Sequence, residues 1–180
     1  MTKVYVLYAS MFGHTKVLAE AIAEGAESVE GAEVVLESVE DVNLEELKTA
    51  DAIIWGSSGF FGTPNPKMAT FLSKLGGMWA TGDLRGKVGG VFATTSTQHM
   101  GIEQILRVLQ LPMQHHGMIV VSNTGELTPE RTLYGCPYGA AATIPVETSK
   151  DAPMNRPRPE EMELAKEYGA LVTKTAARLK

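Results

Sequence analysis

Val4-Tyr5-Val6-Leu7-Tyr8-Ala9-Ser10-Met11-Phe12-Gly13-His14-Thr15 runs from a β-rich apolar stretch into a turn of hydroxyls and one glycine, and the fold follows from how that junction is read. Val4 to Tyr8 is apolar almost throughout, as in a strand covered on both faces in a parallel sheet; a half-exposed strand would alternate. Past Thr15, Leu18, Ala21, Ile22, Gly25, Ala26 and Val29 recur at helical spacing, with Glu20, Glu24 and Glu27 on the polar face. Gly31 is the expected end of that helix.

Outward from this unit the pattern repeats. A second strand is predicted over Glu33 to Val39, then an acidic connector in which Leu44 and Leu47 suggest one or two helical turns, then a third strand over Ala52 to Trp55. Pro64, Asn65 and Pro66 punctuate, and Met68, Phe71, Leu72 and Leu75 form a helical stripe that Gly76 and Gly77 are expected to stop. Lys87 to Thr95 reads as strand four, Ile102 to Gln114 as a helix and Met118 to Ser122 as strand five; a last helix opens at Pro159. Strict alternation with short connections implies right-handed crossovers and helices on both faces of one sheet, a doubly wound α/β fold. A single domain over residues 1–180 is expected. The Gly-, Pro- and Thr-rich segment from Asn123 to Arg158 is too long for an idle connector and is expected to have a task of its own.

Composition narrows the partners. A formal charge of −5 leaves no basic face for a phosphate backbone, which disfavours nucleic acid and anionic membrane surfaces. No apolar run approaches the roughly 20 residues of a span, and the opening residues read as a buried strand rather than a cleavable signal, so a cytoplasmic protein is expected. The lone Cys136 excludes an internal disulfide, a thiolate-held iron–sulfur cluster and a Cys-rich zinc site, and no metal is expected. Electron transfer would therefore need an organic cofactor. Cys136 itself lacks a neighbouring acid or histidine in sequence and is expected to be inert.

In an open α/β sheet the ligand crevice lies beyond the carboxyl ends of the strands, where strand order reverses. Three loops are expected there. Ser10-Met11-Phe12-Gly13-His14-Thr15 offers unpaired amides at a helix N-terminus and two hydroxyls, a cradle for phosphate that needs no lysine. The absence of G-x-x-x-x-G-K-[ST] and of G-x-G-x-x-G argues against a P-loop and a dinucleotide site, which leaves flavin mononucleotide (FMN) as the best candidate. Ser10 and Thr15 would equally serve as plain helix caps, and this loop alone leaves both readings open. The second loop, Ser57 to Gly62, should reach the isoalloxazine ring, with amides for its polar edge and Phe60 and Phe61 as apolar cover, unless those two are ordinary core aromatics. The third, Thr94-Thr95-Ser96-Thr97-Gln98-His99-Met100-Gly101, has the hydroxyl and amide composition expected around a ribityl chain and a pyrimidine edge.

Leu7-Tyr8 through Ser10-x-x-Gly13-His14 resembles the opening of the WrbA-type NAD(P)H:quinone oxidoreductases. Phe61-Gly62 with Met68-x-x-Phe71-Leu72, Gly76-Gly77-x-Trp79-Ala80-x-Gly82-x-Leu84-x-Gly86-Lys87, His115-His116-Gly117-Met118 and Gly135-x-Pro137-Tyr138-Gly139-Ala140 resemble further segments of that family, in its order. The resemblance implies a flavodoxin-like, five-stranded sheet of order 2-1-3-4-5 and, joined to the reading of the three loops, FMN bound through residues 10 to 15, Gly59 to Gly62, Thr94 to Gln98, Gly101 and His116. It further implies that Trp79 overlies the substrate side, that Phe12 stands near the nicotinamide where a tyrosine is usual, and that the late segment meets neighbouring chains of a tetramer. By itself, His116 would read as a dipole-satisfying helix end, and Trp79 as a buried anchor. The chain departs from the family where Ser58, Gly59 and Phe60 replace Pro-Thr-Arg, and where His99 and Met100 occupy a glycine cluster and either narrow the pocket, contact substrate or face solvent. A connector from Asp41 to Ala50 shorter than the family commonly has leaves the assembly, dimer or tetramer, open.

The implied activity is two-electron, ping-pong reduction of a quinone-type acceptor by NAD(P)H through bound FMN, with no catalytic side chain because the flavin carries the chemistry. A one-electron carrier of the short flavodoxin kind would want carboxylates around the flavin, and the three loops contain none. A regulatory module on a cofactor-free scaffold is the other alternative.

Overall fold

The computed structural model describes residues 1–144 and 157–180. β1 (Thr2–Ala9) lies inside the sheet because both its faces are apolar: Val4 and Val6 pack to one side, Tyr5 and Leu7 to the other. It pairs in parallel with β2 (Ala32–Ser38) and with β3 (Ala52–Phe60), and β3 pairs in parallel with β5 (Val88–Thr95). β6 (Ile119–Val120) and β7 (Ala140–Thr143) both pair with β5, in tandem, against its first and last residues. The order is thus the expected 2-1-3-4-5, with the fifth strand in two pieces. α1 (His14–Glu27) and α7 (Pro159–Arg178) cover one face. α2 (Leu44–Leu47), α3 (Pro66–Lys74), α4 (Gly76–Thr81) and α5 (Ile102–His115) cover the other. β4 (Thr63–Pro64) is a short antiparallel return on β3, and α6 (Pro129–Tyr134) lies within the excursion between the halves of the fifth strand.

Four boundaries differ from those read in the sequence. α1 ends at Ser28, whose hydroxyl donates to the Gly25 carbonyl (2.7 Å); Gly31, at φ +76°, instead turns the chain into β2. β3 runs on to Phe60, so the second loop is the tip of a hairpin. Gly76 and Gly77 open α4 after Leu75 instead of stopping the helical path, because a glycine pair on a surface turn permits one more turn as readily as it ends one. The fifth strand breaks after Val120, and residues 145–156 of the long late segment lie outside the described residues.

The break is held together by side chains. The Asn123 amide N–H donates to the Pro137 carbonyl (2.9 Å) and its side chain to the Gly139 carbonyl (3.1 Å), which closes the excursion at its neck. Fully buried Tyr168 of α7 spans the gap: its hydroxyl donates to the Val121 carbonyl (2.8 Å) and accepts from the Val91 N–H (3.2 Å), groups a continuous strand would have paired. Burial pushes its phenol well above the ordinary tyrosine range, so it stays protonated and able to donate. α7 also sits against α1 at backbone distance, since a methyl at Gly25 would lie 1.9 Å from the Lys166 carbonyl oxygen and one at Gly169 would lie 2.0 Å from that of Ile22. Glu161 of α7 accepts from the Thr143 N–H (2.8 Å) and anchors β7 to the helix start. Among the described residues, no helix is long and apolar enough to cross a membrane, and no group of three or more His, Cys, Asp or Glu residues could hold a metal ion.

Candidate functional site

β1, β3, β5 and β7 all end at one edge of the sheet, and a cleft of about 320 Å³ opens there. Its lining comes from Ser10, Met11, Phe12, His14 and Thr15 after β1, from Ser58, Gly59, Phe60 and Phe61 at the end of β3, from Thr94, Thr95, Ser96 and Met100 after β5, and from Ile144 after β7. No carboxylate is among these residues.

The first loop is shaped by Gly13, which caps α1 at φ +87°. A side chain there would meet nothing within 4 Å, so the demand is on the backbone alone, and an L-residue would cost roughly 1–2 kcal/mol in that conformation. The Ser10 hydroxyl accepts from the Gly13 N–H (3.0 Å) and closes the turn. The first bond running back into the helix is from the Val17 N–H to the Gly13 carbonyl (3.2 Å), so the amides of His14, Thr15 and Lys16 precede it and have no intrahelical acceptor. With no acidic residue in the first turn, the positive pole of the helix is uncompensated. Thr15 is fully buried and its hydroxyl meets that of Thr94 at 2.8 Å, which clamps the first loop to the third. This donor set suits a phosphate monoester.

The second loop is a two-residue hairpin turn. Phe60 pairs with Thr63, and Phe61 (φ +49°) and Gly62 (φ +79°) both take positive φ, the pattern of a type I′ turn. Phe61 is the one non-glycine residue at positive φ among those described, and its ring is 91% exposed. It meets Phe60 edge to face at 5.2 Å between centroids, so these rings are surface aromatics at the cleft and not core. Asn65 fixes the hairpin root: its N–H donates to the Ser57 hydroxyl (2.8 Å), its side-chain amide to that of Ser58 (3.0 Å), and its oxygen caps α3 at the Lys67 N–H (2.9 Å). A methyl at Gly62's neighbour across the gap, Gly101, would lie 3.8 Å from the Gly62 Cα, so the second and third loops also touch.

The third loop divides. Thr94, Thr95 and Ser96 face the cleft, and the Thr95 hydroxyl donates to the Thr97 carbonyl (2.8 Å). Gln98 and His99 turn away and line a separate cavity of about 420 Å³ with Tyr134, Cys136, Tyr138 and Glu161. Met100 lines the cleft, so of the two residues replacing the glycine cluster one narrows it and the other does not reach it. Burial raises the proton affinity of the Cys136 thiol, which keeps it a poor nucleophile.

Trp79 and His116 lie at the opposite, amino-terminal end of the sheet within this protomer. They share a cavity of about 310 Å³ with Ala80, Gly82, Arg85, Gln114, His115 and Gly117, beside the start of β5. The Trp79 indole N–H donates to the His115 carbonyl (3.1 Å) while the ring is 59% exposed, so it is neither a buried anchor nor part of the cleft in its own chain. The His116 Nδ1 is buried with no hydrogen-bond partner among the described residues. Burial, with a smaller contribution from His115, holds its imidazole below the ordinary histidine range, so it is neutral at pH 7.

Sequence reasoning missed Ser58, which stood inside the quoted second loop, and Ile144, which reaches the cleft only because β7 exists. A short alanine-rich strand after a long Gly- and Pro-rich segment carries no pattern that would have found it.

The family model for flavodoxin matches residues 6–134. A curated relative from Cupriavidus metallidurans, named NAD(P)H dehydrogenase (quinone), is 36% identical and the match covers 99% of each chain. Among solved structures, a flavodoxin, WrbA-like protein from Agrobacterium tumefaciens is 25% identical with a TM-score of 0.78 over 100% of both chains. A flavodoxin from the domain Archaea is 25% identical with a TM-score of 0.71, over 98% of this chain and 99% of that one. The turn after β1 and every hydroxyl that lines the cleft fall inside the matched residues, and the chain belongs to the flavodoxin family.

Proposed function

We propose that this chain is an FMN-dependent oxidoreductase, a single domain over residues 1–180, that passes electrons from NAD(P)H to a quinone-type acceptor. The observation that carries the reading is the first loop: three helix-start amides without intrahelical acceptors, an uncompensated helix pole and a buried Thr15–Thr94 hydroxyl pair, all beneath an aromatic-edged cleft. The name of the Cupriavidus relative supports the reaction class.

Ser10 to Thr15 would hold the phosphate, with Thr94 positioning Thr15. Thr95, Ser96 and Thr97 would line the ribityl path; Gly59 to Gly62 and Gly101 would bring amides and rings to the isoalloxazine. Phe12, 75% exposed at the mouth, is placed to stack on an arriving ring and exclude water from its face. What the flavin supplies when bound is the redox chemistry itself, two-electron acceptance from NAD(P)H and delivery to the acceptor in alternation. Trp79 and His116, remote from the cleft of their own chain, would meet the flavin of a neighbouring copy, which makes the working form a homo-oligomer, dimer or tetramer.

The lack of carboxylates among the described lining residues weighs against a one-electron carrier, because carboxylates near the ring are what would resist a second electron's charge. The test is the visible spectrum of the purified protein with and without added FMN, followed by steady-state kinetics with NADH, NADPH and benzoquinone. Parallel double-reciprocal lines are expected. Intersecting lines would reject the alternating mechanism, and a colourless protein that takes up no FMN would reject the whole proposal.

A further inference from the structure

The cleft at the carboxyl end of the sheet has a floor and a rim of opposite character. We propose that the rim selects the electron acceptor: a neutral, fused-ring quinone met at its outer ring by Met100, with anionic acceptors disfavoured. This rests on the oxidoreductase reading above and names the acceptor class and the residue that sets it.

Buried side chains are usually apolar and exposed ones polar, and here the order is reversed. Thr15, Thr94 and Thr95 are buried on the floor of the cleft. Met11, Phe12, Phe60, Phe61 and Met100, large apolar side chains from three separate loops, are all exposed around its mouth. Single exposed apolar residues need no explanation, but a group gathered round one opening marks a binding surface. None of the described lining residues is Asp, Glu, Lys or Arg, so the rim offers an anion no cationic partner. The formal charge of −5 repels an anion from further out. What such a rim rewards is an uncharged apolar ring.

Phe61 indicates that the exposure is built. It takes the first central position of the type I′ turn, at φ +49°, where the backbone favours Asn, Asp or Gly. Nothing in the turn calls for an aromatic, and a disfavoured backbone kept at such a position points to a use for the ring at the cleft. The hairpin tip and the third loop meet at Gly62 and Gly101, where a methyl on Gly101 would lie 3.8 Å from the Gly62 Cα. Phe61 and Met100, each one residue before that contact, therefore belong to one rim. Phe61 is grouped with the flavin contacts, which leaves Met100, 45% exposed, to meet the acceptor. An unbranched thioether moulds to flat rings and is attracted to their edges. Because Met100 stands at the rim, it meets the part of an acceptor that projects outward, which a second fused ring supplies and a single ring lacks.

The test uses the purified holoprotein with Met100→Ala, Met100→Leu and Met100→Lys, each acceptor compared with itself across the variants so that its reduction potential cancels. Specificity is read as kcat/KM for each acceptor, which an alternating mechanism makes independent of the donor. Met100→Ala is expected to lower kcat/KM for menadione roughly fivefold to tenfold, the worth of covering the exposed part of a methionine side chain, and that for benzoquinone about twofold at most. Met100→Leu keeps the apolar volume and should stay near the parent. Met100→Lys should raise kcat/KM for naphthoquinone sulfonate about fivefold, the effect of one unit charge about 4 Å away in water. Flavin content should match the parent throughout. Equal losses for menadione and benzoquinone in Met100→Ala, no loss, or a gain for menadione would overturn the inference and leave the oxidoreductase reading intact. So would a sulfonate used no better by Met100→Lys. A changed elution volume on gel filtration with both acceptor values unmoved would assign the rim to a contact between copies and overturn it too. A colourless protein, or one that reduces no quinone, overturns both readings.

Discussion

At the carboxyl end of the sheet the lining is mostly backbone and hydroxyl: a left-handed glycine, helix-start amides, a buried threonine pair and a hairpin whose tip is forced through two positive φ angles. At the amino end, about 25 Å away along the eight residues of β5, the lining is side chain: an indole, two imidazoles and a glutamine at the ends of α4 and α5, and an arginine in the turn after α4. Strand ends fix the first site and helix ends the second. A site built on main-chain groups depends on a few conformational positions and tolerates change elsewhere, whereas one built on long side chains can change ligand by single substitutions without moving the backbone. The contrast predicts that the two ends are separable, so that variants at one should move flavin retention by the isolated protomer and variants at the other only what depends on a neighbouring copy.

The harshest way to break that contrast is to loosen the scaffold that serves both ends. Tyr168→Phe strands the Val91 N–H and the Val121 carbonyl in the broken edge and is expected to cost about 3 kcal/mol, from roughly 1–3 kcal/mol per stranded group. A urea midpoint lowered at constant slope would show it, and an unchanged midpoint would mean water fills the gap. Gly13→Val attacks the phosphate turn alone. Its positive-φ penalty should weaken FMN binding about fivefold to thirtyfold, read as the dissociation constant from flavin fluorescence. An equal loss in Trp79→Phe, measured at a protein dilution that separates any oligomer, would erase the distinction between the ends. Thr15→Val removes one hydroxyl of the clamp and should cost about 1 kcal/mol in FMN affinity, a factor near five.

The smallest effect concerns His116. Its proton affinity is depressed in the folded state, so the unfolded chain binds the proton more tightly and stability rises with pH through the window below the ordinary value of about 6.5. Stability should therefore be flat above pH 7 and fall as the pH drops towards 5. His116→Gln should flatten that slope in thermal melts while flavin binding at the cleft of an isolated protomer stays as it was; an unaltered slope would place the pH dependence elsewhere.

How much of this was legible in the sequence varies with the kind of force involved. β1, α1, β5 and α5 were plain because burial on both sheet faces and helical periodicity write themselves into the order of apolar residues, as at Val4 to Tyr8 and Leu18 to Ala26. The phosphate turn was legible because only a glycine takes Gly13's conformation cheaply and because hydroxyls beside it stand out. The split fifth strand was not. Its two pieces of two and four residues are too short for any period, and the bonds that justify them come from Asn123 and from Tyr168, distant in sequence and individually unremarkable there. The residues of the second cavity were picked out through family likeness, yet their distance from the cleft is a property of where α4 and α5 end, which no local spacing encodes.

The interrupted outer strand also bears on how the protein behaves when crowded or heated. A long bare rim of unpaired peptide groups invites a second molecule to extend the sheet, the first step towards fibrous aggregates. One rim here, β2, is seven residues long but carries Glu33 and Glu37. The other offers Ile119 and Val120, then a detour through α6, then only the four residues of β7. A deletion that rejoined those halves into one straight strand would restore the rim, and with it a tendency to precipitate that the present detour suppresses.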